Sequence, residues 1–366
     1  MSVSKRRLAV LFGGRSAEHE VSVSSARAML PHVDRERFDV QLVGISKSGE
    51  WLALPPDTNV LASGLVTSAA APRLVVDHRP GGTFMHADGS GAPIAVDVVF
   101  PLLHGPFGED GTVQGVMELA GIPTVGCGVA ASAVAMDKEL TKRLCKADGL
   151  PQVDYHVVRR SRWEQRPEPV LFEIEGRFEY PVFVKPARMG SSVGVSAAHD
   201  RDALAAALTE AARFDTKMIV ETAASGYREI ECAVLGNAAP EASVVGEIVP
   251  ANAFYDYQAK YADEASKLIV PAELSEAASE EIRTLAVAAF RAVGASGLAR
   301  VDFFVHPDDE SVLVNEVNTM PGFTPISMYP RLWEASGIPY SELITRLIDL
   351  ACERAEEHRR SQTSLN

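Results

Sequence analysis

Two segments near the end of the chain carry its densest chemistry: 299–305 reads ARVDFFV and 312–318 reads VLVNEVN. Side chains alternate across a strand, so Arg300 and Asp302 share one face while Val301, Phe303 and Val305 take the other. Glu316 and Asn318 are related in the same way. If the two strands are neighbours, an arginine, two carboxylates and an amide project from one side of a sheet. Such oxygen donors suit a hard cation such as Mg²⁺, and with the arginine they outline a metal–phosphate site. A single acidic residue on a strand would read as a solvated sheet face. Four polar groups interrupting apolar strands argue for a functional cluster.

Lys185 stands on a second β-like run, 180–187, and leads into PARMGSSVGV. There Gly190, Ser191, Ser192 and Gly194 let backbone N–H groups close on an anion, while the lysine supplies a compact positive charge. The segment is neither GxxxxGK[ST] nor GxGxxG, so a P-loop and a dinucleotide-binding turn lose their main support. Alone it could equally be a bulged hairpin. Glu18, in GGRSAEHEVS, falls in the first turn of a helix after a strand, where it could meet a substrate ammonium or simply oppose the helix dipole. His19 and Glu20 lack the second histidine of HExxH. His104, in PLLHGPFGED, ends a predicted strand on the usual ligand side of an open α/β sheet. Phe254, Tyr255, Tyr257 and Tyr261, with Asp256 and Lys260, have poor core periodicity and read as a lid able to exclude water, or as a packed surface loop or dimer contact. In NTMPGFTPIS, Ser327 opens a helix whose N–H groups could take a carboxylate, or it simply caps that helix.

The elements that must position these groups follow from pattern and composition. A length of 366 residues implies about two to three domains, and the boundaries fall at 1–126, 127–228 and 229–366. The first unit alternates strands (8–12, 39–45, 97–103) with helical patterns, as in a largely parallel sheet covered by helices. Ser16 is placed to cap a helix that turns Val23, Ala26 and Met29 inward, and 52–95 reads as irregular surface. The second unit opens with one helix through Asp137, Lys138 and Lys142 to Gly149, then strands at 180–187 and 217–221. The third holds a helix with Ile282, Leu285, Ala286, Ala289, Phe290 and Val293 inward, the two chemical strands, and a closing helix with Leu343, Ile344, Leu347, Ile348 and Ala351 on one face.

With 46% hydrophobic and 23% charged residues, most of the chain should fold. The 35 Lys and Arg against 49 Asp and Glu give a net charge of −14, which argues against nucleic acid or an anionic membrane as partner and requires local cations for any anionic substrate. Cys127, Cys145, Cys232 and Cys352 form no CxxC pair, so neither disulfides nor zinc are suggested and a reducing cytoplasm is expected. The apolar run 8–12 is too short for a signal peptide. The uncharged run 119–136 is broken by Gly121, Pro123, Gly126 and Gly128, which argues against a membrane span.

In order along the chain, LFGGRSAEHEVS, PLLHGPFGEDGTVQG, MDKELTK, VKPARMGSSVGVS, REIECAVLGN, FYDYQAKY, ARVDFF and NEVNTMPGFTPISMYP together resemble the D-alanine:D-alanine ligase family of the ATP-grasp superfamily. Only 52–95 and 157–179 offer little to align. The resemblance implies an α/β, ATP-grasp fold, with an N-terminal open parallel α/β domain and two α+β domains enclosing ATP. It implies a cytoplasmic, homodimeric enzyme that joins two D-alanines through a D-alanyl phosphate for peptidoglycan precursors, using ATP and two Mg²⁺ ions for which Mn²⁺ can substitute.

Carried over by matching position, the resemblance gives Lys138 and Lys185 to the ATP phosphates, Glu221 to the adenine and Glu229 to the ribose. Ser191, Ser192, Lys260 and Asn315 complete the ATP set. Asp302, Glu316 and Asn318 would ligate the metal ions. Glu18 would bind the first D-alanine's ammonium, with Ser191 and Tyr261 in its hydrogen-bond network and His104 nearby. Ser327 and the Met328 backbone would take the second carboxylate, and Arg300 with the Gly322 N–H would stabilise the oxyanion. The competing readings are a D-alanine:D-lactate ligase, whose lid differs at Tyr261, another ATP-grasp carboxylate–amine ligase, and a silent nucleotide sensor.

Overall fold

The computed structural model describes residues 4–55, 61, 64, 66, 71–249 and 267–362. The aromatic segment with Phe254, Tyr255, Asp256, Tyr257, Lys260 and Tyr261 lies outside the described residues.

The run LAVLF has no exposed surface and forms the heart of β1 (Arg6–Gly13). Gly13 and Gly14, with φ of 91° and 103°, turn the chain into α1 (His19–Met29). A Cβ at Gly13 would stand 2.2 Å from the Ile45 carbonyl oxygen, so this turn demands glycine. α1 buries Val23, Ala26 and Met29. Ser16 is not its cap: Glu18 holds the N-cap position, and the Ser16 hydroxyl accepts the Glu18 N–H at 3.2 Å and donates to the His104 carbonyl at 2.7 Å.

After β2 (Phe38–Ile45) come β3 (Trp51–Leu54), β4 (Arg73–Asp77), β5 (Thr83–His86) and β6 (Ile94–Ala95), and then β7 (Val98–Leu102). The sheet order is β6-β5-β4-β3-β2-β1-β7, parallel only around β1 and antiparallel along the arm from β3 to β6. The expectation of irregular structure over 52–95 is thereby corrected. None of the arm's strands exceeds five residues, too few to display a sustained alternation, yet Leu52, Leu74 and Phe84 are buried in it.

α2 (Thr112–Leu119) and α3 (Val129–Met136) flank a turn with Gly121 and Gly126 at positive φ, which divides the uncharged 119–136 run. Among the described residues no helix is long and apolar enough to cross a membrane. The single helix expected through Asp137 is in fact two, because Asp137 leaves helical geometry at φ −95°, ψ 100° and caps α4 (Lys138–Ala147) by accepting the Leu140 N–H. Lys217 Nζ anchors that cap at 2.6 and 2.5 Å from the two Asp137 oxygens.

The second sheet holds β8 (Tyr155–Arg159), β9 (Val182–Pro186), β10 (Ser196–Ala198) and β11 (Lys217–Thr222) in the antiparallel order β10-β9-β11-β8. α5 (Arg160–Gln165) and α6 (Pro167–Glu175) follow β8, and α7 (Arg201–Phe214) precedes β11. Val182, Val184, Met218 and Val220 pack with Leu204 and Leu208 of α7. Alternation therefore turns Phe183, Lys185, Ile219 and Glu221 to the opposite face.

The third sheet runs β14-β13-β12-β15-β16, all antiparallel, from β12 (Arg228–Gly236), β13 (Glu241–Val249), β14 (Lys267–Ile269), β15 (Gly297–Val305) and β16 (Val312–Asn318). α8 (Glu276–Ala292) lays Ile282, Ala286, Ala289 and Phe290 against Val301, Phe303 and Val305. Ala135 and Cys145, from α3 and α4, join that core. α9 (Met328–Ala335) and α10 (Tyr340–Arg359) follow. Leu343, Ile344, Leu347 and Ile348 of α10 share one core with Leu8, Val10 and Phe12 of β1 and Leu298 of β15, so this helix ties the first sheet to the third.

Leu347 is fully buried at that seam. Leu347→Ala should therefore cost about 2–5 kcal/mol, read as a fall of several degrees in the thermal unfolding midpoint. An unchanged midpoint would remove α10 from the seam.

Candidate active site

On the third sheet the strand register sets Asp302 opposite Glu316 and Arg300 opposite Asn318. Arg300 donates Nε and Nη2 to the two Asp302 oxygens, each at 2.7 Å, and its Nε lies 3.0 Å from Glu231 Oε2. Asn318 Nδ2 donates to Asp302 Oδ2 at 2.9 Å. Burial works against the Arg300 charge, but the carboxylates of Asp302, Glu231 and Glu316 overcome it and raise the guanidinium pKa well above its ordinary value. Asn315 stands where the register shifts between Asp302 and Phe303, a bulge that sets it beside Glu316 and outside the regular pairing. Glu231 was not singled out from sequence. It pairs across with Asp302 and stands two residues after Glu229, so the alternation that exposed Asp302 applies equally to β12.

The second sheet presents the cations. Lys185 Nζ lies 2.6 Å from Glu221 Oε2, and Lys142 Nζ lies 3.4 Å from Glu221 Oε1. Burial alone would raise the Glu221 pKa, but Lys142, Lys185 and Lys138 pull it down to about 2. For Lys185, burial is outweighed by Glu221, Glu316 and Glu229, and its pKa rises. For Lys142, burial wins over Glu221 and its pKa falls. The charges of Glu316 and Glu229, on the third sheet, thus reach Lys185 on the second. Lys142 was placed on its helix by the sequence but given no role; its position four residues after Lys138 puts the two on one helical face.

Lys138 is tied to the glycine-bearing loop: its Nζ donates to the Met189 carbonyl at 2.7 Å and its backbone N–H to Ala187 at 2.9 Å. Within that loop Ser191 and Ser192 hold φ of 49° and 57°, uncommon values for residues with a Cβ. The loop is a pair of tight turns, with Val193 N–H bonded to Gly190 and Val195 N–H to Ser192. The Ser191 hydroxyl donates to the Glu18 carboxylate, joining the loop to the first sheet.

Glu18 and His104 are both buried. His104 Nδ1 lies 3.1 Å from the Met320 carbonyl oxygen and 4.0 Å from Glu109 Oε1, and its Nε2 lies 3.2 Å from Ser25 Oγ. Burial opposes its charge, yet Glu109, Glu18 and the Met320 carbonyl together raise its pKa. Glu109 lies in the same PLLHGPFGED run, five residues after His104, and only the turn between them brings the two together. A cavity of about 200 Å³ lined by Gly14, Ser16, Trp51, His104 and Phe107 opens at this end of the parallel strands. Ser327 occupies the N-cap of α9 without capping it; its Oγ accepts the Thr324 N–H at 3.1 Å and pairs with Thr324 Oγ1 at 2.8 Å. A Cβ at Gly322 would lie 3.1 Å from that Oγ, so Gly322, Ser327 and the start of α9 at Met328 are neighbours.

Among the described residues, no three of His, Cys, Asp and Glu are grouped to hold a metal ion. The expected ligand set consists of two carboxylates and an amide. The described residues thus bring together Arg300, Asp302, Glu316 and Asn318 on one sheet, Lys185, Glu221 and Lys138 around the other, and Glu18 with Ser191. The expected roles of Tyr261 and Lys260 fall outside the described residues.

The Glu221 pKa gives a signed expectation. A carboxylate depressed from 4.5 to about 2 on folding stabilises the fold above the higher value and loses that stabilisation as pH falls towards the lower one. Between those limits, the unfolding midpoint of the parent chain should fall more steeply with acid than that of Glu221→Gln. Parallel curves would mean that Glu221 is not held ionised by its lysines.

The sequence matches the family descriptions "D-ala D-ala ligase N-terminus" over residues 7–127 and "D-ala D-ala ligase C-terminus" over 144–349. The D-alanine–D-alanine ligase of Ruminiclostridium cellulolyticum is 50% identical over an alignment 374 positions long, covering 99% of each chain. That of Heliobacterium modesticaldum is 49% identical over 359 residues, covering 98% of each. The structure of the D-alanine-D-alanine ligase from Coxiella burnetii superposes with a TM-score of 0.85 at 37% identity, over 98% of this chain and 97% of that one. The VanG D-Ala:D-Ser ligase from Enterococcus faecalis superposes with a TM-score of 0.86 at 37% identity, over 95% and 100%. Matched through both halves and along nearly its whole length, with the three sheets arranged as described, the chain belongs to the D-ala D-ala ligase family and has its ATP-grasp fold.

Proposed function

We propose that this chain joins two D-alanines to D-alanyl-D-alanine with cleavage of ATP, by way of a D-alanyl phosphate, in the cytoplasm and as a homodimer. The observation that carries the reading is the grouping of Glu316, Asp302, Asn318 and Arg300 on one sheet, with Lys185 of the second sheet within reach of the Glu316 charge and Lys138 beside the glycine-bearing loop. Family membership directs it to D-alanine. In this reading 1–126 is the substrate unit, and ATP lies between 127–228 and 229–366.

A carboxylate and an amine do not condense in water, because the departing group would be oxide. Transfer of the γ-phosphoryl group to the first D-alanine's carboxylate supplies a better one. Lys138 and Lys185 neutralise the phosphates, with Ser191, Ser192, Lys260 and Asn315 completing the nucleotide site; Glu221 meets the adenine and Glu229 the ribose. Asp302, Glu316 and Asn318 are hard oxygen donors on adjacent strands, and this donor set fits Mg²⁺ or Mn²⁺. When bound there, two such ions would neutralise charge on the transferring phosphoryl group.

Glu18, steadied by Ser191, holds the first D-alanine's ammonium near His104. Ser327, whose hydroxyl is not used in capping, takes the second carboxylate with the Met328 N–H. Attack by the second amine builds negative charge on the acyl oxygen, which Arg300 and the Gly322 N–H stabilise. The segment containing Tyr261 excludes water that would hydrolyse the acyl phosphate. The choice of second substrate rests on the two relatives near 50% identity, which favour D-alanine over D-lactate.

Phosphate release should require D-alanine, ATP and a divalent ion together, fall to background in excess chelator, and be poorly supported by L-alanine. Equal turnover with L-alanine or full activity in chelator would contradict the assignment. Arg300→Ala should lower kcat about 10²-fold or more, the cost of losing one oxyanion donor, while nucleotide affinity changes much less. A loss confined to affinity would assign Arg300 to phosphate binding.

A further inference from the structure

We propose that Lys142 is the standing counter-ion of Glu221, keeping that carboxylate charged and aimed at the nucleotide base when Lys185 turns to the phosphates, and so setting the preference for a base with an exocyclic amino group. The inference rests on the reading that ATP lies between the two sheets with Glu221 at its base.

The geometry gives Glu221 two cations on two different oxygens. Oε2 takes Lys185 at 2.6 Å, and Oε1 faces Lys142 at 3.4 Å. Both Lys142 and Glu221 have side chains only 3% exposed, against 14% for Lys185. Lys142 Nζ makes no hydrogen bond among the described residues. It also stands over the face of Tyr155, whose ring centroid lies 5.8 Å away, and feels the charge of Lys185 and the thiol of Cys145. A buried ammonium is costly to retain, and a residue there only to fill space would be apolar. One lysine already neutralises Glu221, so the second has a purpose when the first is occupied elsewhere.

Lys185 is the partner placed to reach a phosphate. It lies one residue before the end of β9, close to the glycine-bearing loop, is the more exposed of the two lysines, and is within reach of the Glu316 and Glu229 charges of the third sheet. Lys142 approaches from α4, whose start is fixed by the Asp137–Lys217 pair. If Lys185 moves to a phosphate, Oε2 becomes an open acceptor while Lys142 still holds Oε1. An ionised carboxylate can only accept hydrogen bonds. It therefore welcomes the amino group of adenine and repels the carbonyl oxygen that hypoxanthine carries at the same position.

The test is calorimetric binding of Mg·ATP and Mg·ITP, with steady-state kinetics alongside. Lys142→Met should weaken ATP binding by about 10-fold or more, the scale expected when a buried charged acceptor loses its partner, and leave ITP nearly unchanged, so that discrimination between the two collapses. At saturating ATP, kcat should stay within a few-fold, and Lys142→Arg should restore the preference. Lys142→Gln serves the same purpose should the Met variant fail to fold. An unchanged ATP:ITP ratio, or equal loss of both nucleotides, would overturn the proposal. Glu221→Gln separates the two levels, because its amide can accept or donate and should also erase discrimination. If Glu221→Gln changes the ratio and the Lys142 variants do not, only the role of Lys142 fails; if neither changes it, Glu221 does not read the base.

Discussion

Arg300 is largely withdrawn from water with Glu231, Asp302 and Glu316 around it, and Glu221 is buried between Lys185 and Lys142. A charge out of water persists only beside its opposite, and this requirement organises the whole cleft. Each of the two sheets devotes one face to an apolar core, while its other face sets compensated charge among apolar neighbours. The alternation of Val182 and Val184 with Phe183 and Lys185, and of Val301 and Phe303 with Arg300 and Asp302, allows both on the same strands. A chain of net charge −14 thereby concentrates cations where a polyphosphate would lie.

The units are joined through the same groups. The Ser191 hydroxyl on Glu18 links the glycine-bearing loop to the first sheet. His104 reaches the Met320 carbonyl just after β16, and α10 packs against β7 and β15 and shares their core with β1. A substrate ammonium at Glu18 and a phosphate at Lys185 would therefore be held by side chains whose relative positions are fixed by direct contacts and by shared core, as proximity catalysis requires.

Much of this was legible in the sequence because period-two alternation survives in long strands. β15 and β16 declare Arg300, Asp302, Glu316 and Asn318 by parity alone. β12 obeys the same rule, but Glu231 has its partners, Asp302 and Arg300, on another strand, so its own segment does not reveal its role. Lys142 closes the MDKELTK run, but nothing in that run gives it a task, and its contact with Glu221 is a tertiary one. The arm β3–β6 reads as irregular because strands of two to five residues offer too few alternations, although each pairs with the strand next to it in the chain. Asp137, read as helix interior, breaks the helix because its carboxylate caps the next one and holds Lys217. Capping by aspartate is a familiar signal, but between two good helix-forming runs it is easily read through.

The central claim is that the first D-alanine's carboxylate is phosphorylated in the cleft between these sheets before the peptide bond forms. D-Alanine labelled with ¹⁸O in its carboxyl group should, on turnover with unlabelled ATP in ordinary water, deliver one labelled oxygen to each phosphate released, read by mass spectrometry or by the isotope shift in ³¹P NMR. Phosphate released without label during dipeptide formation would contradict the acyl phosphate and the arrangement of charge built to support it.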